Sequence, residues 1–259
     1  MNTIEVPEGK KVYFASDNHL GAPNAVDSLE RERRFVRWLG HIREDAAAIF
    51  LMGDLFDFWF EYAHVVPKGF TRTLGKLAEL TDSGIPVYYF VGNHDLWMRG
   101  YFEQELNIPV FHKPQVFHIG EKAFFLGHGD GLGPHDKGFK RMKKVFTHPL
   151  AQWCFRWLHP DLGVPLAQYF SVKNRLISGE DDVRFLGEDR EWLVQYAKRK
   201  LETHHYDFFV FGHRHLPLDI ALSDTSRYVN LGDWIQYFSY AVFDGQRLSL
   251  ESFEGGAAG

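Results

Sequence analysis

AAIFLMGDLFD, residues 47–57, is an apolar run of strand length that ends in glycine and aspartate. Near-continuous hydrophobicity over six positions reads as a strand covered on both faces. A Gly-Asp pair closing such a run is, taken alone, usually a turn. The arrangement recurs, however. VYFAS (12–16) leads into Asp17-Asn18-His19, and PVYYFV (86–91) into Gly92-Asn93-His94-Asp95. AFFLG (123–127) runs into Gly127-His128-Gly129-Asp130, and DFFVF (207–211) into Gly212-His213-Arg214-His215. Five such clusters in order, each after a strand, are a specific signal where one would be weak.

Helical patterns lie between the runs. Asp27 with Glu30 has the form of a capping box, opening a helix whose apolar positions include Phe35, Leu39 and Ile42. Residues 70–83 and 187–202 also read as helices, with Leu193, Tyr196 and Ala197 on one face of the second. Short strands and turns follow residue 211. Strand, motif, helix, strand is the order of an α/β protein, in which ligands gather beyond the carboxyl ends of the strands. Residues 131–180 interrupt the alternation with KGFKRMKKVF, PLAQWCFRWLHP and DLGVPLAQYFSVKNR. We read them as a helical cap inserted into a single domain spanning 1–259.

The bulk composition narrows the classes. With 259 residues, 45% hydrophobic and 24% charged, the chain is globular. A net charge of −5 argues against broad affinity for nucleic acid. Cys154 is the single cysteine, so no intrachain disulfide forms and a reducing compartment is expected. MNTIEVPEGKK lacks the apolar core of a signal peptide, and no run of about 18 apolar residues exists to span a bilayer. A cytoplasmic location is the expectation.

The clusters are rich in metal ligands. Asp17 and His19, two residues apart, project to the same side of an extended backbone, as do His213 and His215. Asp54 closes its strand and can bridge two cations through its two oxygens. Asn93 offers a neutral amide oxygen, and His128, His213 and His215 offer imidazoles. Mixed imidazole and carboxylate ligation suits manganese, iron or zinc better than calcium. Seven ligands with one bridge make two sites of four.

The ordered set resembles the calcineurin-like metallophosphoesterase superfamily over essentially the whole chain outside the insert. The resemblance implies a two-sheet β-sandwich flanked by helices. It implies two divalent ions, manganese first with iron or zinc as alternatives. Asp17, His19, Asp54 and His215 would hold one, and Asp54, Asn93, His128 and His213 the other. Such ions, about 3.5–4 Å apart, clamp a phosphoryl group and acidify the water that attacks phosphorus. His94 is then the candidate to protonate the leaving oxygen, with Asp95 orienting its ring. Asp57 and Asp130 are expected outside the ligand set.

The opening SDNHLG and the helical insert after GHGD further resemble the UDP-2,3-diacylglucosamine hydrolases of lipid A synthesis. These cleave the pyrophosphate of a lipid-linked nucleotide to UMP and the diacylglucosamine 1-phosphate. Their lid corresponds to about 131–180, with Ser171, Lys173, Asn174 and Arg175 as substrate contacts. One departure is His94, where the well-known members carry Arg. In the insert, Leu150, Trp153, Cys154, Trp157 and Leu158 form one stripe and Leu162, Leu166, Tyr169 and Phe170 a second. They follow the basic run Lys137, Lys140, Arg141, Lys143 and Lys144. Apolar stripes usually mark a core face and basic runs a solvated one, but cations before aromatics also suit an amphiphilic substrate and peripheral contact with the inner face of a membrane. The same aromatics also suit a homodimer interface. A soluble phosphodiesterase or phosphatase and a non-catalytic scaffold are the competing functions.

Overall fold

A computed structural model of the chain describes residues 2–22, 27–133, 143–170, 185 and 187–254. The five apolar runs become five strands: β2 (Lys11–Ala15), β3 (Ala46–Leu51), β4 (Val87–Phe90), β7 (Lys122–Leu126) and β8 (Phe208–Phe211). The remaining strands are β1 (Asn2–Ile4), β5 (Val110–Phe111), β6 (Gln115–Ile119), β9 (Pro217–Ala221), β10 (Arg227–Leu231), β11 (Ser239–Phe243) and β12 (Leu248–Ser252). They form two six-stranded mixed sheets, in the orders β12-β11-β2-β3-β4-β5 and β1-β6-β7-β8-β10-β9. Strands β2 to β5 run parallel, as do β7, β8 and β10.

Coverage on both faces explains the continuous apolar runs. In β2, Val12 and Phe14 point between the sheets, where they meet Phe50, Phe90, Phe117, Phe124 and Val210. The Phe14 ring stacks on Phe50 at 5.0 Å and on Phe124, from the other sheet, at 5.7 Å. The alternate residues Tyr13 and Ala15 face Phe35, Trp38, Leu39 and Ile42 of helix α1 (Ser28–Ile42). On the far side of the second sheet, Phe125, Phe209 and Phe211 pack against Leu193, Val194 and Ala197. Each fully buried side chain of this size contributes about 1.5–3 kcal/mol.

Local differences from the sequence expectations have physical causes. Asp27 does cap α1, accepting the Leu29 N–H at 3.0 Å, but Glu30 lies 3.7 Å from Arg33 and 3.6 Å from Arg37, leaving the capping box half made. Helix α2 occupies Thr71–Asp82, and a short α3 occupies Tyr101–Glu105. The helix expected from residue 187 runs over Trp192–Leu201, because Gly187 has φ +89° and Glu191 spends its carboxylate on Arg214 instead of capping.

In the insert, Pro149–Arg156 and residues 160–170 are helical. Ser171, Lys173, Asn174 and Arg175 lie outside the described residues, as do Lys137, Lys140 and Arg141. The aromatic stripes face outward: Trp153 is 56% exposed and Trp157 75%. Phe155 turns inward, its ring 4.7 Å from Phe60 and 4.8 Å from Trp97. The Trp97 indole N–H donates to the Phe146 carbonyl at 2.6 Å, and Arg99 to Gln152 Oε1 at 2.6 Å. Among the described residues, no helix is long and apolar enough to cross a membrane.

One ion pair makes the fold sensitive to acid. Asp45 accepts the Tyr13 hydroxyl at 2.7 Å and lies 2.8 Å from Lys11 Nζ. Burial alone would raise the Asp45 carboxyl, but the bonds from Lys11 and Tyr13 outweigh it and hold it below the usual range. A depressed folded value means stability that is complete above the unfolded value, about pH 4, and lost as pH falls through the folded one. Asp45→Asn is therefore expected to unfold at lower urea than the parent near neutral pH, with the gap narrowing below about pH 4. Paired urea midpoints across that range check the direction.

Candidate metal centre

The clusters meet beyond the carboxyl ends of β2, β3, β4, β7 and β8. The chain gets them there by leaving the extended conformation, contrary to the same-side geometry expected of Asp17/His19 and His213/His215. Asp17 (φ 56°), His19 (43°), Asp54 (52°), His213 (71°) and His215 (49°) all occupy the left-handed region. Asp and His tolerate it better than branched residues, at about 1–2 kcal/mol each. Main-chain bonds stitch the loops together: Asp17 N–H donates to Gly53 O at 3.0 Å and His19 N–H to Asp54 O at 2.9 Å. Asp54 does not close β3; it sits three residues beyond Leu51.

Close approach explains the glycines. A β-carbon on Gly92 would collide with the Asp54 carboxylate, and one on Gly212 with the Asp17 carboxylate and the Ser16 hydroxyl.

Three overlapping ligand groups result: Asp17, His19 and His215; His19, Asp54 and His94; and Asp54, His128 and His213. In the first, His19 Nε2 lies 3.2 Å from His215 Nε2 and 3.7 Å from Asp17 Oδ1, and His215 Nε2 lies 3.4 Å from Asp17 Oδ1. In the third, His128 Nε2 lies 3.2 Å from Asp54 Oδ2 and 3.3 Å from Asn93 Oδ1. Asp54 Oδ2 is also 3.8 Å from His19 Nε2, so it stands between the two groups. Tetrahedral coordination at about 2.0–2.1 Å places ligand atoms about 3.4 Å apart, the spacing seen here. Asp17 Oδ1 is buried with no hydrogen bond, while Oδ2 accepts the His213 N–H at 2.9 Å. The donor set, its spacing and this orphaned oxygen fit divalent cations.

Electrostatics point the same way. Burial would raise the Asp17 and Asp54 carboxyls, but the surrounding imidazoles hold both well below the usual range. Burial would lower His19 and His128, yet their carboxylate neighbours, Asp17 and Asp57 for one and Asp54 and Asp17 for the other, raise both to about 10. Burial and the nearby His128 pull His213 down to about 4, and burial lowers His94 as well. The buried anions thus demand positive charge, which protons supply in the metal-free chain and a cation displaces on binding.

Four of the rings turn Nδ1 outward. Nε2 of His19, His128 and His215 faces the ligand groups, while Nδ1 faces an outer acceptor. His128 Nδ1 is 2.8 Å from Met52 O, and His94 Nδ1 is 3.0 Å from Asp57 O. His19 Nδ1 is 3.5 Å from Asp57 Oδ1 and His215 Nδ1 3.4 Å from Asp233 Oδ2. Asp95 does not take the ring-orienting place expected for it. Its carboxylate accepts the Gly92 N–H at 2.7 Å and the Tyr89 hydroxyl, and burial with Asp54 nearby raises it to about 7. Asp130 lies 2.5 Å from Lys143 Nζ. Asp233 and the buried Arg214–Glu191 pair went unread in the sequence. Asp233 carried a weaker signal, since Gly232-Asp233 follows Tyr228–Leu231, a run broken by the polar Asn230.

Residues 10–217 match a family described as calcineurin-like phosphoesterase. The chain is 44% identical to a UDP-2,3-diacylglucosamine hydrolase of Porphyromonas gingivalis, over 94% of this chain and 98% of that one. It is 27% identical to a protein of the same name from Vibrio atlanticus, over 94% and 98% of the two chains. A third, from Actinobacillus succinogenes, is 25% identical over 86% and 92%.

Gly92→Ala is expected to cost about 1–3 kcal/mol by overpacking and to weaken divalent-ion binding by displacing Asp54. Gly40→Ala, in α1 where a β-carbon meets nothing within 4 Å, should be neutral or stabilising by up to about 1 kcal/mol. Thermal unfolding and Mn2+ uptake on the two variants compare the sites.

Proposed function

The chain belongs to the calcineurin-like phosphoesterase family, and we propose that it hydrolyses the pyrophosphate of UDP-2,3-diacylglucosamine to UMP and 2,3-diacylglucosamine 1-phosphate. The observation that carries this is the 44% identity to a hydrolase of that name across 94% of this chain. The exposed aromatic face of the insert supports a substrate with acyl chains, since a water-soluble nucleotide gives such a face nothing to cover.

Divalent ions belong to the chemistry of the family, and Mn2+ is the proposed occupant. Asp17, His19, Asp54 and His215 would hold one ion, and Asp54, Asn93, His128 and His213 the second. Bound there, the ions would supply Lewis acidity toward phosphate oxygens and acidify a water for attack on phosphorus. The protein residues then have separate tasks. Asp54 contributes the shared negative charge. Asn93 contributes an oxygen without adding charge that would repel a pyrophosphate. His94, with 12% of its side chain exposed and Nδ1 placed on the Asp57 carbonyl, would donate from Nε2 to the leaving phosphate oxygen as the imidazolium, a form that the bound substrate's negative charge favours. Trp153, Trp157, Leu162 and Tyr169 would meet the acyl chains at the cytoplasmic face of the membrane, on a protein bound peripherally there. Ser171, Lys173, Asn174 and Arg175 are the proposed polar contacts of the same substrate.

The deciding experiment is Mn2+-dependent release of UMP from UDP-2,3-diacylglucosamine, run beside bis(p-nitrophenyl) phosphate with Asp54→Ala as the blank. UMP release lost in the blank is the expected result. Turnover of the diester alone would replace the lipid by a soluble nucleotide or phosphoester.

His94→Ala is expected to keep its metal content and lose about 10²–10⁴-fold in turnover. Metal analysis beside the kinetics separates the roles: lost metal makes His94 a ligand, and an unchanged rate removes it from the reaction.

A further inference from the structure

The loop after β10 reaches one half of the centre through Asp233. Asp233 is buried, and its two oxygens have different tasks. Oδ1 accepts three successive main-chain N–H groups, from Ile235 at 3.1 Å, Gln236 at 2.8 Å and Tyr237 at 3.1 Å. Oδ2 is the oxygen that meets the ring, 3.4 Å from His215 Nδ1. The turn is itself tied to the site, because the Trp234 N–H donates to Asp17 O at 3.1 Å. The carboxylate therefore cannot rotate away.

We propose that Asp233 is a positioning residue that fixes His215 in the Nδ1–H tautomer, and so sets whether the Asp17–His19–His215 group can bind its cation. A neutral imidazole carries one N–H. With that proton on Nδ1 toward a carboxylate, Nε2 keeps its lone pair, 3.2 Å from His19 Nε2 and 3.4 Å from Asp17 Oδ1. His128 relies on a different acceptor, the Met52 carbonyl at 2.8 Å. The Asp54–His128–His213 group reaches the Asp233 turn only indirectly, through Asp17, among the described residues.

Asp233→Asn tests this sharply. The three N–H donors require the amide oxygen at the Oδ1 position, so the amide NH2 must face His215 Nδ1. Nδ1 then has to accept, and the ring proton moves to Nε2, where it blocks the cation. The inference rests on the divalent-metal reading above. Mn2+ titration by calorimetry, with electron paramagnetic resonance of the loaded chain, is the experiment. Wild type is expected to take up two Mn2+ and give the signal of a coupled pair. Asp233→Asn should unfold at the wild-type temperature without metal and bind one Mn2+ at wild-type affinity. Its second ion should be weakened about 10–100-fold, with the signal of an isolated ion. Two ions at wild-type affinity with a coupled signal would overturn the proposal, and so would loss of both from a folded variant. A wild-type chain that takes up no Mn2+ would overturn the metal reading, and this inference with it. Should Asp233→Asn fail to fold, the ring 15N spectrum of metal-free wild type decides: a proton on His215 Nδ1 supports the assignment, and one on Nε2 overturns it.

Discussion

Asp17 and Asp54 are carboxylates with almost no contact with water, and two buried anions so close together are tolerable only if positive charge reaches the same place. The architecture around them follows from that demand. Histidines from three other loops converge on the pair, the loops are stitched by main-chain bonds, and glycines stand wherever a β-carbon would collide with a carboxylate. The sandwich supplies a rigid platform. Its central strands are covered on both faces, so loop anchors such as Ala15, Leu51 and Phe211 are fixed by packing before any ligand arrives.

The insert obeys a different logic. Among the described residues it meets the platform through Phe155, the Trp97–Phe146 bond, the Arg99–Gln152 bond and the Lys143–Asp130 pair. Most of its described large apolar side chains face outward. A rigid charged centre beside an exposed apolar surface suits a substrate with a phosphate end and a hydrocarbon end.

Much of this was legible in the sequence, and the failures are instructive. The five central strands stood out because each has apolar residues on both faces, Val12 and Phe14 inward and Tyr13 and Ala15 toward α1. Strand β6 was missed because the half-exposed run Gln115–Ile119 mixes polar with apolar residues. The insert stripes were real, but periodicity alone cannot tell a core face from an exposed one. At the centre, residue types pointed to the ligand groups, whereas backbone handedness left no mark that propensity could read. Asp95 was given the wrong neighbour because adjacency in sequence is not adjacency across a tight turn; its carboxylate closes back onto Gly92 and Tyr89.

The left-handed backbone at Asp17, His19, Asp54, His213 and His215 places durability and activity in opposition. Glycine or asparagine at any of these positions would relax the main chain, and glycine would also remove a charge or ring that is awkward to bury. A library of this chain sorted only for heat resistance or soluble yield would therefore drift toward sturdier proteins that have lost their centre. Selection for catalysis would have to run alongside to keep it.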